Sequence, residues 1–408
     1  MHIGINAQLL SFSQNYRNGG ISRYIRYFLD ELALHPGEHE YTIFVNGPEI
    51  VAQLGVQHPQ LQFVPATWSE SNPAARVAWE QLTLPTLIRQ RGIQVLHSPA
   101  NVLPEFLPRR CAGVVTLHDL AFLRMPEVLT RPKRVYHRTF TVRSLRRAAM
   151  IIAVSESTSR DLTELLEVSP QRIVTVYPCL DKRFSHPVTD EEVRAFRERQ
   201  GLVQGFLLYL GTLEPRKNIP TLLDAYARLR ETTGTQIKLV LAGSKGWLYE
   251  AIFARVQELG LENEVLFPGF VSDAEQPLWY HAASAFVYPS LYEGFGYPVA
   301  EALACGIPVV TSTVSSLPEA GMGIALTVDP HDVEAMAATL HRALSDVALR
   351  EHCKAQAATV RARFSAAALV QQTIAVYEQA VTLHVTHRKG SSLMTRDENE
   401  FLSRSGKE

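Results

Sequence analysis

The sequence contains little cysteine and no long apolar segment. Its 408 residues include four cysteines, Cys111, Cys179, Cys305 and Cys353, and no pair has the Cys-x-x-Cys spacing. This scarcity excludes a disulfide scaffold and a zinc knuckle, and it is typical of proteins in a reducing compartment. No apolar run approaches the roughly 18–20 residues that cross a bilayer, so we expect no membrane-spanning helix.

The amino terminus lacks the features of a secretory signal. Residues 2–6 read directly as a strand, without a basic region, an apolar core or a small-residue cleavage site before them. Such a start predicts a protein that is not exported by the Sec route. Together with the scattered cysteines, it predicts a cytoplasmic location.

Acidic and basic residues are nearly equal in number. The formal net charge is −1. Residues 1–180 contain 18 Lys and Arg against 14 Asp and Glu, a net of +4, and residues 181–408 contain 22 against 27, a net of −5. This imbalance is too mild for a nucleic-acid-binding protein, so no nucleic-acid partner is expected. The change of sign allows two domains that face different partners.

Short β-branched runs alternate with helix-period segments along the chain, which predicts βαβ units and parallel sheets. Hydrophobic residues make up 46% of the chain, an ordinary globular share. One continuous sheet of about twelve strands would be unusual, so two Rossmann-like domains are the better interpretation. Strands are predicted at 2–6, 41–45, 61–64, 94–97, 113–118, 150–154, 172–177, 206–210, 236–242, 264–267, 285–288, 307–311 and 323–328, with helices that include 21–34, 75–91, 218–230 and 247–259.

The predicted break between the domains lies within a proline-containing stretch after residue 178. We assign residues 1–185 to the first domain, 186–204 to a linker region that contains a capped helix, and 205–365 to the second domain. A last helix is predicted at 366–385. The polar tail 387–408 is predicted to be disordered.

The strongest local signal is the segment 288–306, in which a strand leads through a Gly-rich turn into a short helix. Pro298 takes an early helical position and Gly306 ends the helix. Free N–H groups at the helix start form an anion site. Glu293 and Glu301 would repel a phosphate, so we expect them to accept hydrogen bonds from hydroxyls of a sugar and a ribose joined by phosphate. The alternative is a tight turn whose glutamates cap and solubilise it.

The second signal is Gly-Thr-Leu-Glu-Pro-Arg-Lys-Asn at 211–218, which follows a strand and opens a helix. Asn218 is the expected N-cap. Arg216 and Lys217 stand beside that helix start, and two cations with a helix dipole favour a diphosphate. Lys217 is expected to be exposed to a cleft. The alternative is a solvated pair near a helix cap.

Two features of the first domain are candidates for ligand contact. Gly19 and Gly20, between the first strand and the first helix, either allow close backbone approach to a ligand or form a flexible turn. His118 ends a strand at the carboxyl edge, where open α/β sheets bind ligands. It is either a hydrogen-bond partner or base, or a structural histidine.

A basic segment at 131–147 contains seven Lys and Arg and no acidic residue. One interpretation is a helix that lies on a membrane surface. Another is an exposed helix, or a surface for an anionic acceptor. We favour the second, because on a helical wheel the cations surround the axis without forming one face.

The motifs together resemble retaining glycosyltransferases of family 4. The likeness rests on Glu293-Gly-Phe-Gly-x-x-x-x-Glu301, on the segment 211–218 and on the amino-terminal Gly-Gly pair, and it covers about residues 1–385 in the same order. It implies an α/β protein of the GT-B fold, with two Rossmann-like domains that face each other across a cleft. The helix 366–385 would cross back to the first domain.

The resemblance also implies roles for single residues. Glu301 would contact the donor ribose, Glu293 the donor sugar and Lys217 the diphosphate, while His118 would approach the transferred sugar. Thr212 stands where many members have arginine, and Arg216 is the candidate replacement. The implied catalytic residues are His118, Arg216, Lys217 and Glu293, and the implied donor-binding residues are Gly19, Gly20, Thr212, Arg216, Lys217, Gly294, Phe295, Gly296 and Glu301.

The implied activity is transfer of a hexosyl group, with retention, from a nucleotide diphosphate sugar to a hydroxyl of a saccharide or of a polyprenyl-diphosphate-linked saccharide. GDP-mannose is the expected donor, because the segment 211–218 resembles polysaccharide mannosyltransferases. No cofactor and no metal are expected, since no Asp-x-Asp motif occurs. Peripheral contact with the anionic inner face of the cytoplasmic membrane is a further expectation. The alternatives are a GT-B epimerase or hydrolase of nucleotide sugars, and a catalytically silent sugar-nucleotide-binding protein.

Overall fold

A computed structural model describes residues 1–13, 19–66, 68, 72–128 and 131–404. Their strands form two parallel sheets, one of seven strands in the order β3-β2-β1-β4-β5-β6-β7 and one of six in the order β10-β9-β8-β11-β12-β13. We call each sheet with its flanking helices the first and the second domain. The strands are β1 His2–Asn6, β2 Glu40–Asn46, β3 Leu61–Ala66, β4 Val95–Ser98, β5 Ala112–Leu117, β6 Met150–Ala153, β7 Ile173–Thr175, β8 Phe206–Leu210, β9 Lys238–Ala242, β10 Val265–Gly269, β11 Ala285–Tyr288, β12 Val309–Ser312 and β13 Leu326–Val328.

Crossover connections, most of which contain helices, join the parallel strands in both domains. Single π-helical turns lie at Trp79–Thr83 and His137–Thr141, and short 3₁₀ turns include Pro215–Lys217. The α-helices are α1 Gly20–Leu34, α2 Pro48–Leu54, α3 Pro73–Ala78, α4 Leu84–Gln90, α5 Ala121–Arg124, α6 Arg131–Tyr136, α7 Val142–Arg147, α8 Glu156–Leu166, α9 Asp190–Gln200, α10 Ile219–Thr233, α11 Glu250–Glu258, α12 Gln276–Ala282, α13 Tyr297–Ala304, α14 Leu317–Ala320, α15 Val333–Ser345, α16 Val347–Arg363 and α17 Ala366–Arg404.

The strand order reverses once in each sheet, between β1 and β4 and between β8 and β11. In open α/β sheets, ligands bind in the crevice outside the carboxyl ends of the strands at this reversal. Each described strand overlaps a run predicted from the sequence. Inner strands such as β5 and β8 are buried on both faces, which explains why their sequences are apolar nearly throughout.

The last helix, α17, crosses from the second domain back to the first and packs on α1, β5 and β6. Its Tyr377 hydroxyl lies 2.7 Å from Nδ1 of His97, whose Nε2 lies 2.8 Å from Oγ1 of Thr116. Burial lowers the pKa of His97 to about 3, with a smaller contribution from His118, so the ring is neutral. This crossing confirms the GT-B architecture that the sequence implied.

Some helix boundaries differ from the prediction. The predicted helix 75–91 is interrupted by the π-helical turn Trp79–Thr83, because one extra residue is accommodated there. The helix α17 continues to Arg404, where a disordered tail was predicted from residue 387. That stretch contains no proline, and its single glycine costs a helix only about 1 kcal/mol. Residues 405–408 of the predicted tail lie outside the described residues.

The capping box predicted for the linker helix is present. Thr189 Oγ1 accepts from the Glu192 amide, and the Glu192 carboxylate accepts from the Thr189 amide. Among the helices that the structure describes, none combines the length and the apolar composition needed to cross a bilayer.

Candidate active site

The two motifs of the second domain meet at the carboxyl ends of β8 and β11. The turn Pro215–Lys217 follows β8, and the Gly-rich turn 289–296 follows β11. The Leu291 amide and the Ser290 hydroxyl both donate to the carbonyl of Arg216, at 2.9 and 3.0 Å. These bonds tie the two turns together, so the groups predicted separately from the sequence belong to one site.

Two cations and two carboxylates alternate at the centre of this site. Lys217 Nζ lies 2.5 Å from Oε1 of Glu293 and 2.8 Å from the Tyr288 hydroxyl. Arg216 Nη1 lies 3.1 Å from Oε2 of Glu293, and its Nη2 lies 3.0 Å from Oε1 of Glu214. The four charges sum to zero, so the cations are compensated before any diphosphate enters.

Together, burial and the neighbouring charges lower the pKa values of both Glu293 and Lys217. Burial alone would raise the pKa of Glu293, but Arg216, Lys217 and the Ser290 hydroxyl lower it to about 2. Burial and Arg216 lower the pKa of Lys217, and Glu293 and Glu214 oppose that shift. The ammonium of Lys217 is therefore held in place by its carboxylate partners rather than by water.

Protein donors already occupy the hydrogen-bonding positions of the Glu293 carboxylate. Besides Lys217 and Arg216, it accepts from Ser290 Oγ at 2.7 Å and from the Tyr288 hydroxyl at 3.1 Å. In this arrangement Glu293 orients the two cations. Its predicted contact with a sugar hydroxyl stays a prediction, and it requires Glu293 to exchange one of these partners.

Glu301 lies on α13, one turn after the helix start. Its Oε2 accepts from the Tyr280 hydroxyl at 2.8 Å, and its Oε1 lies 3.6 Å from Nη1 of Arg23 on α1 of the first domain. Burial raises the pKa of Glu301, while Arg23 and Tyr280 oppose that shift. Glu301 thus faces the first domain, close to Gly19, which caps α1, and Gly20, which lies beside the Tyr297 ring.

The Gly-rich turn is pressed against the first domain. A Cβ on Gly294 would lie 1.7 Å from the carbonyl oxygen of His118, so only glycine fits. Gly296 has φ of 97° and begins α13, a conformation that favours glycine. Phe295 points the other way: its ring is buried against Tyr177 and Phe364. The side chain of Phe295 is therefore part of the core, and only its backbone can meet a donor.

His118 is held as a neutral imidazole at the end of β5. Its Nε2 lies 2.7 Å from the carbonyl oxygen of Pro99, so Nε2 carries the proton and Nδ1 is the acceptor. Burial lowers the pKa of His118, although Pro99 and Asp119 oppose the shift. Thr212, which stands where many family members have arginine, is exposed, and its predicted contact with the donor stays a prediction.

Asn218 occupies the N-cap position of α10, but it does not cap the helix as predicted. Its φ is 57°, and its side chain makes no bond to the helix amides. Its Nδ2 donates to the carbonyl of Pro330 at 2.7 Å, and its Oδ1 accepts from Thr221 Oγ1. The left-handed backbone turns the side chain away from the helix axis, so Asn218 anchors the neighbouring loop instead.

Sequence reasoning missed several residues that shape the site. Glu214 lies within the motif 211–218, but no role was predicted for this acidic residue beside the expected diphosphate site. Arg23 follows the Gly-Gly pair by only three residues, a position that could have been considered. The bonds between Tyr292 and Asp161, and between Glu319 and the start of α8, join residues far apart in the chain and had no local signal.

Comparisons with known proteins identify the family. Residues 193–360 match the model of glycosyl transferases group 1, and residues 18–184 match that of glycosyltransferase family 4. The chain belongs to the group 1 glycosyltransferases. Because both halves match and the fold is GT-B, this glycosyltransferase is a hexosyltransferase that uses a nucleotide-sugar donor and a saccharide acceptor.

Similarity to individual proteins supports this family assignment. It is 35% identical over 284 residues to O-antigen chain mannosyltransferase B of Escherichia coli, covering 70% of this chain and 74% of that protein. It is 32% identical over 224 residues to the serotype-specific mannosyltransferase WbdA of E. coli, covering 54% of this chain but only 27% of WbdA. A sucrose-phosphate synthase from Thermosynechococcus elongatus superposes with a TM-score of 0.71 at 23% identity, covering 93% of this chain and 98% of that one.

Proposed function

We propose that this glycosyltransferase moves a mannosyl group from GDP-mannose to a hydroxyl of a saccharide, with retention at the anomeric carbon. The relatives named above that share 35% and 32% of their aligned residues with it are both mannosyltransferases. The single observation that carries the site assignment is the buried cluster of Lys217, Arg216 and Glu293 at the carboxyl ends of β8 and β11.

Lys217, Arg216 and the amino-terminal end of α13 would stabilise the leaving diphosphate. Preorganised cations in a site that excludes water stabilise developing negative charge more strongly than cations in water do. They also need little reorganisation as that charge develops. These groups supply the charge that a divalent ion supplies in other transferases, so we propose that turnover needs no metal and no cofactor. The two cations would exchange contacts from Glu293 and Glu214 to the phosphate oxygens.

Retention requires either a carboxylate nucleophile or departure and attack on the same face of the sugar. The Glu293 carboxylate accepts hydrogen bonds from four protein groups, and Asp119 Oδ1 accepts from the Ala121 amide at 2.9 Å. Because both carboxylates already accept hydrogen bonds from the protein, we favour the same-face mechanism over a carboxylate nucleophile. Nδ1 of His118 would then accept a hydrogen bond from a sugar hydroxyl near the anomeric carbon.

The acceptor would be bound by the first domain and carried on a polyprenyl diphosphate at an anionic membrane surface. Support comes from the basic segment 131–147, where Arg138, Arg143 and Arg146 are exposed. The Arg147 guanidinium already donates to the carbonyls of Glu105 and Pro104, so it is not available for contact with a membrane. Peripheral contact would therefore depend on the exposed arginines and not on Arg147.

A panel of GDP-mannose, UDP-glucose and ADP-glucose tests the proposal. We expect GDP-mannose to give the largest rise in melting temperature and the fastest transfer to mannose-containing oligosaccharides, with turnover unchanged in excess EDTA. Preference for another donor would overturn the mannosyl assignment. Loss of turnover in EDTA, restored by Mg²⁺ or Mn²⁺, would overturn metal independence. Inverted products would contradict the same-face mechanism.

A further inference from the structure

A second group of polar side chains lies at the carboxyl edge of the first sheet. Asn6 ends β1 and Ser98 ends β4, and the register of these strands places Ile5 opposite His97. Asn6 and Ser98 are therefore neighbours on one face of the sheet. They are only 3% and 0% exposed, yet Asn6 Oδ1 and Ser98 Oγ have no hydrogen-bond partner in the part of the chain that the structure describes. A buried polar atom without a hydrogen-bond partner destabilises the folded protein, so these atoms point to a ligand.

The same group contains further donors and acceptors. Gln8 is 2% exposed and its Nε2 also has no partner among the described residues, while its Oε1 accepts from the Trp68 indole. Asn6 Nδ2 donates to Oε1 of Glu80 at 3.2 Å, and Oε2 of Glu80 pairs with Arg76 at 2.7 Å. Glu80 lies in the π-helical turn between α3 and α4, a distortion that is frequent at functional sites.

This group is adjacent to the donor site. It lies at the point between β1 and β4 where the strand order reverses, which is where ligands bind in such sheets. Pro99 directly follows Ser98, and its carbonyl oxygen accepts from Nε2 of His118 at 2.7 Å. The carbonyl of His118 in turn presses on Gly294 of the donor turn. Ser98 is thus connected to Gly294 through Pro99 and His118.

We propose that Asn6, Gln8, Glu80 and Ser98 form a subsite for a neutral saccharide ring of the acceptor. This inference rests on the proposed function, which supplies the acceptor. The unpartnered atoms are an acceptor on Asn6, a donor on Gln8 and a hydroxyl on Ser98 that can do both. Sugar hydroxyls also donate and accept, so they match all three.

A phosphate fits this subsite poorly. A phosphate dianion only accepts hydrogen bonds, and the Glu80 carboxylate and Asn6 Oδ1 would face it with lone pairs. Arg76 is already neutralised by Glu80. The Trp68 ring beside Gln8 offers an apolar surface for the C–H face of a pyranose. The subsite therefore selects the uncharged ring, and any phosphate of the acceptor lies outside it.

Saturation-transfer NMR tests the subsite, with GDP and UDP present to occupy the donor site. The probes are the methyl α-glycosides of mannose, glucose, galactose and N-acetylglucosamine, with mannose 1-phosphate as the anionic comparison. For the wild type we expect at least one methyl glycoside to bind, and more tightly than mannose 1-phosphate. Ser98→Ala and Asn6→Ala are expected to weaken that binding at least fivefold.

The matched control is Thr373→Val on α17, which removes another buried, unpartnered hydroxyl on the opposite side of the same sheet. It should bind the methyl glycoside as the wild type does. If Asn6→Ala fails to fold, Ser98→Ala alone decides. Absence of glycoside binding, equal binding by Ser98→Ala and wild type, an equal loss in the control, or tighter binding of mannose 1-phosphate would each overturn the subsite. Ser98-dependent glycoside binding without turnover of GDP-mannose would instead contradict the proposed function and leave the subsite standing.

Discussion

Lys217 lies in a different environment from the one predicted, while its predicted role at the diphosphate stays a prediction. The sequence predicts a lysine exposed to a cleft, whereas its side chain is buried between the carboxylate of Glu293 and the phenol of Tyr288. Burial keeps the ammonium poorly hydrated, which strengthens its attraction for a diphosphate. It also couples the function of Lys217 to folding stability, because removal leaves a buried carboxylate with fewer partners.

Replacing Lys217 with alanine is expected to lower kcat/KM by about 30- to 1000-fold, or ~2–4 kcal/mol of transition-state stabilisation. The variant should also melt at a lower temperature, since Glu293 loses its shortest contact. The double variant Lys217→Met with Glu293→Gln should recover melting temperature but not activity. Lys238→Ala is the control, because Lys238 pairs with Glu264 on the exposed edge of the same domain. Activity within threefold of wild type for Lys217→Ala would rule out its role.

Glu293 also sets a pH dependence of stability. Its pKa in the folded state, about 2, lies below the ordinary value of 4.5. A lowered folded pKa gives stability that is complete above the unfolded value and is lost as the pH falls through 4.5 toward 2. The unfolding free energy from urea titrations should therefore fall between pH 5 and about 3, and Glu293→Gln should show a shallower fall. Glu264→Gln, at a half-buried ion pair that is more solvated than Glu293, should change the profile less. Parallel profiles for Glu293→Gln and wild type would contradict the ion-pair assignment.

At the scale of elements, the start of α8 is completed by a residue of the other domain. Ser155 Oγ accepts from the Thr158 amide in the usual N-cap manner. The two preceding amides, of Glu156 and Ser157, donate to the Glu319 carboxylate of α14, each at 2.7 Å. An anion at a helix amino terminus is stabilising, so this contact favours the closed arrangement of the two domains.

Glu319→Ala should weaken domain closure by about 0.5–2 kcal/mol, the range for loss of a helix cap. We expect a larger radius of gyration by X-ray scattering and faster proteolysis between the domains. Asp332→Ala is the matched control: Asp332 caps α15 within the second domain through the Ala335 amide. It should lower stability without changing the scattering curve. Equal scattering of both variants and wild type would show that Glu319 does not hold the domains together.

For the whole molecule, the two domains carry opposite net charge and divide the work. The second domain holds the cation cluster that we propose for the donor, and the first domain presents the exposed arginines of the segment 131–147 and the polar group around Asn6. Attraction to an anionic surface would act through unpaired surface charge, which salt screens over about 10 Å at 0.1 M and about 3 Å at 1 M.

Vesicles that contain phosphatidylglycerol test the peripheral contact. The wild type should sediment with them at low salt and be released as the ionic strength rises. Arg143→Gln with Arg146→Gln should reduce sedimentation several-fold while GDP binding stays unchanged. Arg342→Gln with Lys354→Gln removes the same charge from exposed positions of the second domain and should have no effect. Absence of sedimentation at low salt would contradict membrane contact and favour a soluble acceptor.

The sequence by itself determined the elements and the two motifs. The β-branched runs overlap the strands that the structure describes, and the linker helix begins at the predicted capping box of Thr189 and Glu192. These features depend on side-chain periodicity and on hydrogen bonds between residues a few positions apart, so a short stretch of sequence is enough to predict them. The sequence also predicted that two cations and a Gly-rich turn share one site, and the structure brings the two turns together.

Only the tertiary structure decided which groups face one another. Glu293 accepts hydrogen bonds from Lys217 and Arg216, which lie 76 and 77 residues away in the chain, and its predicted contact with a sugar stays a prediction. Asn6 and Ser98 become neighbours because β1 pairs with β4, with two other strands of the first sheet between them in the chain. Long-range strand order sets these distances, and it is not encoded in any local stretch of residues.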